Sequence, residues 1–267
     1  MSLPQPDPAT AVLVTGASSG IGTELARGLA RRGHNLILVA RRKERLDELA
    51  EELRAEHSVQ VTVHARDLGK ATERVALVDD QRATGRGIVG VCNCAGFGTA
   101  GNFKDLPLER ECEQVELNAV AVLELTHAFL NDMVGRGCGA VLNVASIAAF
   151  QPIPSMATYA ATKAFVQTFS EAVHEELRGT GVSCTVLCPG PVPTEWAEIA
   201  NAEAVMVGPA QVSPKDVAQD AIVGMEEGKR SVVPGIVPKA LSIGGRFAPR
   251  SLLLPGLALG KRLRSRP

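Results

Sequence analysis

Residues Ala11–Gly22 read AVLVTGASSGIG, and this stretch decides the fold. Ala11–Thr15 (AVLVT) is a short apolar run with the composition of a buried strand. Three glycines follow, Gly16, Gly20 and Gly22, spaced G-x3-G-x-G, and Ile21–Arg32 continues as a helix. A glycine-rich turn between a strand and a helix lets the backbone approach a pyrophosphate, and the helix N-terminus offers it free N–H groups. The spacing differs from the G-x-G-x-x-G fingerprint, but the physics is shared. Gly16–Gly20 also fits G-x-S-x-G, the nucleophile elbow of a hydrolase, with Ser18 as nucleophile. That reading is disfavoured, because an elbow on the first strand would have almost no sheet before it.

Working outward, strand-like and helix-like stretches alternate. Asn35–Ala40, Val59–Ala65, Val89–Asn93, Ala140–Val144, Val182–Cys188 and a short Ser231–Val233 read as strands. Lys43–His57, Thr72–Ala83, Leu108–Arg136, Ser155–Arg178 and Ser213–Glu227 read as helices, the first with apolar residues at Leu46, Leu49, Ala50 and Leu53 in a helical period. Repeated β-α units predict an α/β fold, a doubly wound parallel sheet in an α-β-α sandwich. The composition agrees: 45% of the 267 residues are hydrophobic but only 3% aromatic, so the core is built from Ala, Val, Leu and Ile. We expect a polar, Pro-rich N-terminal arm (1–10), a single catalytic domain (11–235) and a basic, apolar C-terminal tail (236–267).

The chemistry concentrates on the single tyrosine, Tyr159, with Lys163 one helical turn later and Ser146 just upstream. Residues at i and i+4 share a helix face. A phenol ordinarily titrates near pH 10. A nearby ammonium favours the tyrosinate and is expected to pull that value towards neutrality. Ser146 is placed to hold a substrate oxygen, and the set suits proton transfer at a carbonyl or alcohol oxygen. Taken singly, each of these residues would be an ordinary surface or turn residue.

Together the motifs resemble the short-chain dehydrogenase/reductase family in its single-domain branch, over roughly Ala11 to Val233. TGASSGIG (Thr15–Gly22) resembles the family's cofactor loop, and NCAG (Asn93–Gly96) resembles its NNAG motif with Cys94 in place of the second Asn. Asn118, Ser146, Tyr159 and Lys163 match its catalytic residues, and PGPVPT (Pro189–Thr194) matches the segment that holds the nicotinamide end. The resemblance implies a Rossmann-type fold and hydride exchange between a nicotinamide and a carbonyl or alcohol. Under it, Tyr159 is the general acid in reduction, Lys163 binds the nicotinamide ribose and lowers the tyrosine pKa, Ser146 polarises the carbonyl, and Asn118 supports a water that relays protons to Lys163. Cofactor contacts are then expected from Gly16, Ser18, Ser19, Gly20, Ile21, Gly22, Asp67, Leu68, Asn93, Ala95, Gly96, Pro189, Gly190, Val192 and Thr194. A non-catalytic NADP(H)-binding sensor or scaffold of the same fold is the alternative. The family is commonly dimeric or tetrameric through its two long helices, so a homodimer or homotetramer is expected.

An NAD enzyme usually places an acidic residue after the second strand for the ribose 2′-OH. Here that strand is followed by Arg41 and Arg42, which suit a 2′-phosphate. NADP(H) is therefore expected over NAD(H), with Arg41 the better ligand and Arg42 beginning the polar face of the next helix. Beyond PGPVPT, Trp196, Ile199, Val205, Met206 and Val207 make an apolar lid, flanked by Phe97, Phe150 and Met156. Ser146, Phe150, Tyr159 and Trp196 are the expected substrate contacts, and the substrate is a small apolar carbonyl compound, a ketone or 3-oxoacyl group.

A net charge of −1 argues against nucleic-acid binding. The charge is uneven: from Gly228 onward there are nine Lys or Arg and no Asp or Glu, leaving residues 1–227 at −10. Ser251–Gly260 is apolar between basic flanks, which suits an anionic membrane surface, an acidic carrier, or packing on the core or a partner subunit. The six cysteines, Cys92, Cys94, Cys112, Cys138, Cys184 and Cys188, are read as buried reduced thiols with no metal. No secretory signal opens the sequence and no apolar run reaches spanning length, so a cytoplasmic enzyme is expected.

Overall fold

The computed structural model describes residues 2–200 and 210–264, with 258–264 as backbone alone. Its strands are β1 (Thr10–Thr15), β2 (Leu36–Ala40), β3 (Val61–Ala65), β4 (Gly87–Asn93), β5 (Gly139–Val144), β6 (Val182–Leu187) and β7 (Ser231–Val232). They form one sheet in the order β3-β2-β1-β4-β5-β6-β7, parallel throughout. The chain returns from β3 to the far side of β1, so the strand order reverses between β1 and β4. A crevice opens outside the carboxyl ends of strands at such a reversal.

Period-two alternation sends side chains to two cores. Val12 and Val14 of β1, with Leu36 and Leu38 of β2, face α1 (Gly20–Arg31), α2 (Lys43–His57) and α8 (Pro214–Glu226), meeting Leu25, Leu29, Leu46, Leu53 and Ile222. Leu13, Ile37, Val39 and Val91 face α3 (Ala71–Thr84), α5 (Ala121–Arg136) and α6 (Ala157–Glu176), meeting Leu77, Leu125, Phe129 and Met133. These side chains are essentially water-free. Each large one contributes about 2–3 kcal/mol relative to exposure. The doubly wound α-β-α sandwich expected from the sequence is thus the observed architecture. The N-terminal arm docks on it: Leu3 is buried and the Ser2 carbonyl accepts from the Gly139 N–H at 3.0 Å.

Two features bear on function. The segment Leu108–Arg136, expected as one helix, is α4 (Leu108–Val115) and α5 joined by a π-turn at Glu116–Val120. Arg74 braces this turn from below: its buried guanidinium bonds Glu124 at 2.6 Å and Glu116 at 3.2 Å. At the other end of the chain, the tail folds into two helices, α9 (Ile236–Phe247) and α10 (Arg250–Arg264). Before them, α4 through α6 are followed by a short α7 (Trp196–Ile199) after β6.

Candidate active site

A cleft of ≈ 610 Å³ lies over the carboxyl ends of the central strands. One wall is the β1–α1 turn. Gly16 has φ +67°, and a Cβ there would meet the Ala95 Cα at 2.9 Å; a Cβ on Gly22 would meet the Gly16 carbonyl oxygen at 2.2 Å. Only glycine fits either position. The Thr15 hydroxyl ties the two strand exits together, accepting from the Cys94 and Ala95 N–H groups at 3.0 Å each and donating to the Cys92 carbonyl at 3.3 Å. Ser19 precedes α1 in an extended conformation and makes no side-chain cap bond, so the first-turn N–H groups of α1 are not claimed by it. Ser18, Ser19, Gly20 and Ile21 line the cleft there, facing Pro189, Gly190, Val192 and Thr194. A turn this tight at an uncapped helix N-terminus fits a pyrophosphate.

At one end lie Asp67 and Leu68, after β3, and Arg41 and Arg42, after β2. Arg41 is exposed. Arg42 is engaged: its guanidinium donates to the Ser18 hydroxyl at 3.1 Å and pairs with Glu195 at 2.7 Å. Arg45 also pairs with Glu195, and the two arginines, Arg45 foremost, hold that carboxyl below the usual carboxylate range. Ser18 therefore meets a guanidinium rather than a histidine base, which removes the hydrolase reading of this loop. The Asp67 carboxylate accepts from the Gly69 N–H at 3.1 Å, fixing its turn.

At the other end the structure brings Ser146, Tyr159 and Lys163 to one place, each at most 9% exposed. Ser146 caps the short 3-10 helix Ile147–Phe150, accepting from the Ala148 N–H at 3.1 Å. The Lys163 ammonium donates to the Val144 carbonyl at 2.8 Å and stands 5.8 Å from the centre of the Tyr159 ring. The expected downward pull of Lys163 on the phenol is not what dominates here. Burial pushes Tyr159 up to about 12, opposed by a hydrogen bond with Ser146, and burial pulls Lys163 down to about 8. Tyr159 therefore carries its proton at neutral pH in the cofactor-free cleft.

Asn118 sits in the π-turn, fully buried and outside the lining of the cleft. Its amide accepts from the Phe97 N–H at 3.1 Å and donates to the Phe97 carbonyl at 2.8 Å and to Thr162 at 3.2 Å. The extra residue of the turn aims it at the β4 exit, and it is a neighbour of Lys163 across Gly96: a Cβ on Gly96 would lie 2.9 Å from the Asn118 Oδ1 and 3.5 Å from the Lys163 ammonium.

Three other expected contacts lie off the cleft. Gly22 acts through its close approach to Gly16. Asn93 points into the protein, donating to Asn143 at 2.8 Å and Thr126 at 3.2 Å, because its position on β4 faces the neighbouring strand and α5. Phe150 packs with the cluster of Val122, Ala145 and Val166 instead of facing substrate. Ala95 and Gly96 do line the cleft. The apolar wall is instead Ile153, Met156 and Trp196 around Tyr159, with the Trp196 and Tyr159 rings 4.9 Å apart and tilted by 49°. Ile199 and Phe97 also line the cleft, whereas Val205, Met206 and Val207 lie outside the described residues. The sequence reading missed Thr15, Ile153, Glu195 and, on α9, Leu241, which reaches the same cleft. All six cysteines are free; Cys92, Cys184 and Cys188 are buried as expected, but Cys112 is exposed.

The model of a known family, short chain dehydrogenase, matches residues 10–204. Sulfoacetaldehyde reductase 2 of Chromohalobacter salexigens is 35% identical over 218 residues, 78% of this chain and 85% of that protein. A very-long-chain 3-oxoacyl-CoA reductase of Laccaria bicolor is 36% identical over 200 residues, 74% of this chain but 59% of that protein, so the chain spans little more than half of that relative. Among solved structures, a short-chain dehydrogenase from Sphingobium yanoikuyae in complex with NADPH superposes with a TM-score of 0.80 at 33% identity, covering 96% of each chain. A bulky-bulky ketone specific alcohol dehydrogenase from Comamonas testosteroni superposes at 0.76 with 29% identity, covering 96% of this chain and 95% of that one.

Proposed function

The chain belongs to the short chain dehydrogenase family, an oxidoreductase family, and on that premise we propose that it reduces an apolar ketone or 3-oxoacyl group to the secondary alcohol with NADPH. The observation that carries this reading is the buried set of Ser146, Tyr159 and Lys163 in the same cleft as the glycine cradle. The cradle, from Gly16 to Ile21, would hold the pyrophosphate, and Pro189 to Thr194 the nicotinamide end. Arg41 is free to take a 2′-phosphate, with Arg42 beside it, which supports NADP(H) over NAD(H). When bound, the reduced nicotinamide supplies a hydride to the carbonyl carbon.

The residues of the chain manage the oxygen. The Ser146 hydroxyl orients the carbonyl oxygen and stabilises its developing charge. The Tyr159 Oη–H bond breaks as its proton passes to that oxygen, and the alcohol O–H bond forms. The Lys163 ammonium stabilises the tyrosinate left behind. Reprotonation of Tyr159 from solvent, relayed past Lys163 and Asn118, restores the site. Trp196, Met156 and Ile153 exclude water and favour apolar substituents.

Names among the relatives support this substrate class: one acts on 3-oxoacyl-CoA and a structural neighbour on bulky ketones. Exposed Leu108, Leu123 and Phe165 on α4, α5 and α6 support a homo-oligomer across these helices. Oxidation of NADPH, then NADH, against chain-length series of ketones and 3-oxoacyl thioesters tests the reading. Turnover that rises with apolar chain length and is specific to NADPH is expected. Tight cofactor binding with no turnover on any carbonyl would overturn it in favour of a sensor. Arg41→Ala is expected to weaken NADPH far more than NADH, and equal effects would remove Arg41 from the 2′-phosphate.

A further inference from the structure

Helix α9 is amphipathic in the reverse sense. The face it turns to the protein carries small or polar residues, Pro238, Ser242 and Gly245. These allow close packing: a Cβ on Gly190 would meet Pro238 at 2.7 Å, and one on Gly245 would meet Gln151 at 3.1 Å and Phe150 at 3.4 Å. The opposite face carries Ile236, Ile243 and Phe247, which are 87%, 61% and 76% exposed. Spaced i, i+7 and i+11, they form a single stripe. Lys239 and Arg246 are exposed along its edge. Helix α10 continues the pattern: Leu252 is 73% exposed, and no side chain between Arg250 and Leu257 is buried. An apolar stripe of this size turned to water marks a surface that meets something.

Charge selects the partner. Residues 228–267 carry nine cations and no acidic residue. A two-fold related copy would set these cations against themselves. A bilayer with anionic headgroups takes both features at once, with the stripe in the acyl boundary and the cations on phosphates. No helix among the described residues is long and apolar enough to cross a membrane, so the contact is one of surface. Position ties it to the site: Leu241, on the same helix and 51% exposed, also lines the cleft. We propose that α9 and α10 dock this protein on an anionic lipid surface, with the mouth of the cleft beside Leu241 facing the bilayer so that an apolar substrate enters from it. The docking itself does not depend on the redox reading; only the route of the substrate does.

Co-sedimentation of the full chain with vesicles of phosphatidylcholine and phosphatidylglycerol in equal parts tests this, with phosphatidylcholine vesicles as control. The protein is expected to pellet with the anionic vesicles at low salt and to be released at high salt. The pair Lys239→Gln and Arg246→Gln should weaken partitioning about thirtyfold. The pair Ile243→Glu and Phe247→Glu should abolish pelleting while reduction of a water-soluble ketone persists, which shows that the variant is folded. Absence of pelleting at low salt overturns the proposal. So does a doubly substituted variant that pellets like the wild type, or one that dissociates an oligomer in sedimentation velocity with vesicle binding intact. Vesicle binding without ketone reduction would leave the docking surface standing and remove the redox assignment alone.

Discussion

The Glu195 carboxylate accepts from the Arg42 guanidinium at 2.7 Å, across the mouth of the cleft from the segment preceding α7 to the turn after β2. Arg45 joins the same carboxylate. A charge that the sequence marks for a phosphate is thus partly neutralised from within. Glu195→Gln should tighten NADPH binding by up to about fivefold, since a partly exposed pair of this kind is worth at most about 1 kcal/mol. NADH affinity should not move. Calorimetric titration checks both, and NADPH binding that is unchanged or weaker would refute a competition between Glu195 and the cofactor.

Tyr159→Phe removes one oxygen from a ring otherwise held by Met156, Ala148 and Trp196. Turnover should fall by about 10²–10⁴, with the NADPH dissociation constant within a factor of about two. A variant with near-wild-type turnover would strip the phenol of its role.

Lys163 is buried and its pKa is pulled down from 10.5 to about 8. Between those values the unfolded chain binds the proton and the folded chain does not, so stability rises with pH across that window. Below about pH 8 the buried ammonium costs about 3 kcal/mol in full. Lys163→Met should therefore be inactive but more stable than the wild type at pH 7, with the difference shrinking as pH approaches 10. Denaturant melts at several pH values read this. A pH-independent difference would mean that Lys163 is not strained by burial.

Gly22→Ala should weaken NADPH and NADH alike, because a Cβ there runs into the Gly16 carbonyl oxygen at 2.2 Å and the whole turn must open. The overpacking should also cost about 1–3 kcal/mol of stability. Selective loss of one cofactor would place the strain elsewhere.

The parallel sheet was legible because its strands are apolar runs separated by helix periods, and β1 through β6 fall within a few residues of the sequence reading. The π-turn at Glu116–Val120 was not, since one extra residue in a turn leaves the helical composition unchanged. That Tyr159, Lys163 and Ser146 meet in one cleft was legible because their spacing is local or lies next to a strand end. Phe150 was misplaced because proximity to Ser146 in sequence does not say which way a 3-10 helix turns its ring. The seat of α9 was hidden for the opposite reason to the usual one: Pro238, Ser242 and Gly245 give no hydrophobic signal for the face that packs. Glu195 carried a signal that went unused, an acid beside PGPVPT matching two arginines after the second strand.

The chain has one tryptophan and one tyrosine, and their rings are 4.9 Å apart. Its intrinsic tryptophan fluorescence therefore comes from a single indole lining the cleft. A reduced nicotinamide absorbs where indole emits, so occupancy of the cleft should quench that emission by energy transfer. The protein needs no attached dye to report what fraction is loaded and whether the reduced form has been consumed.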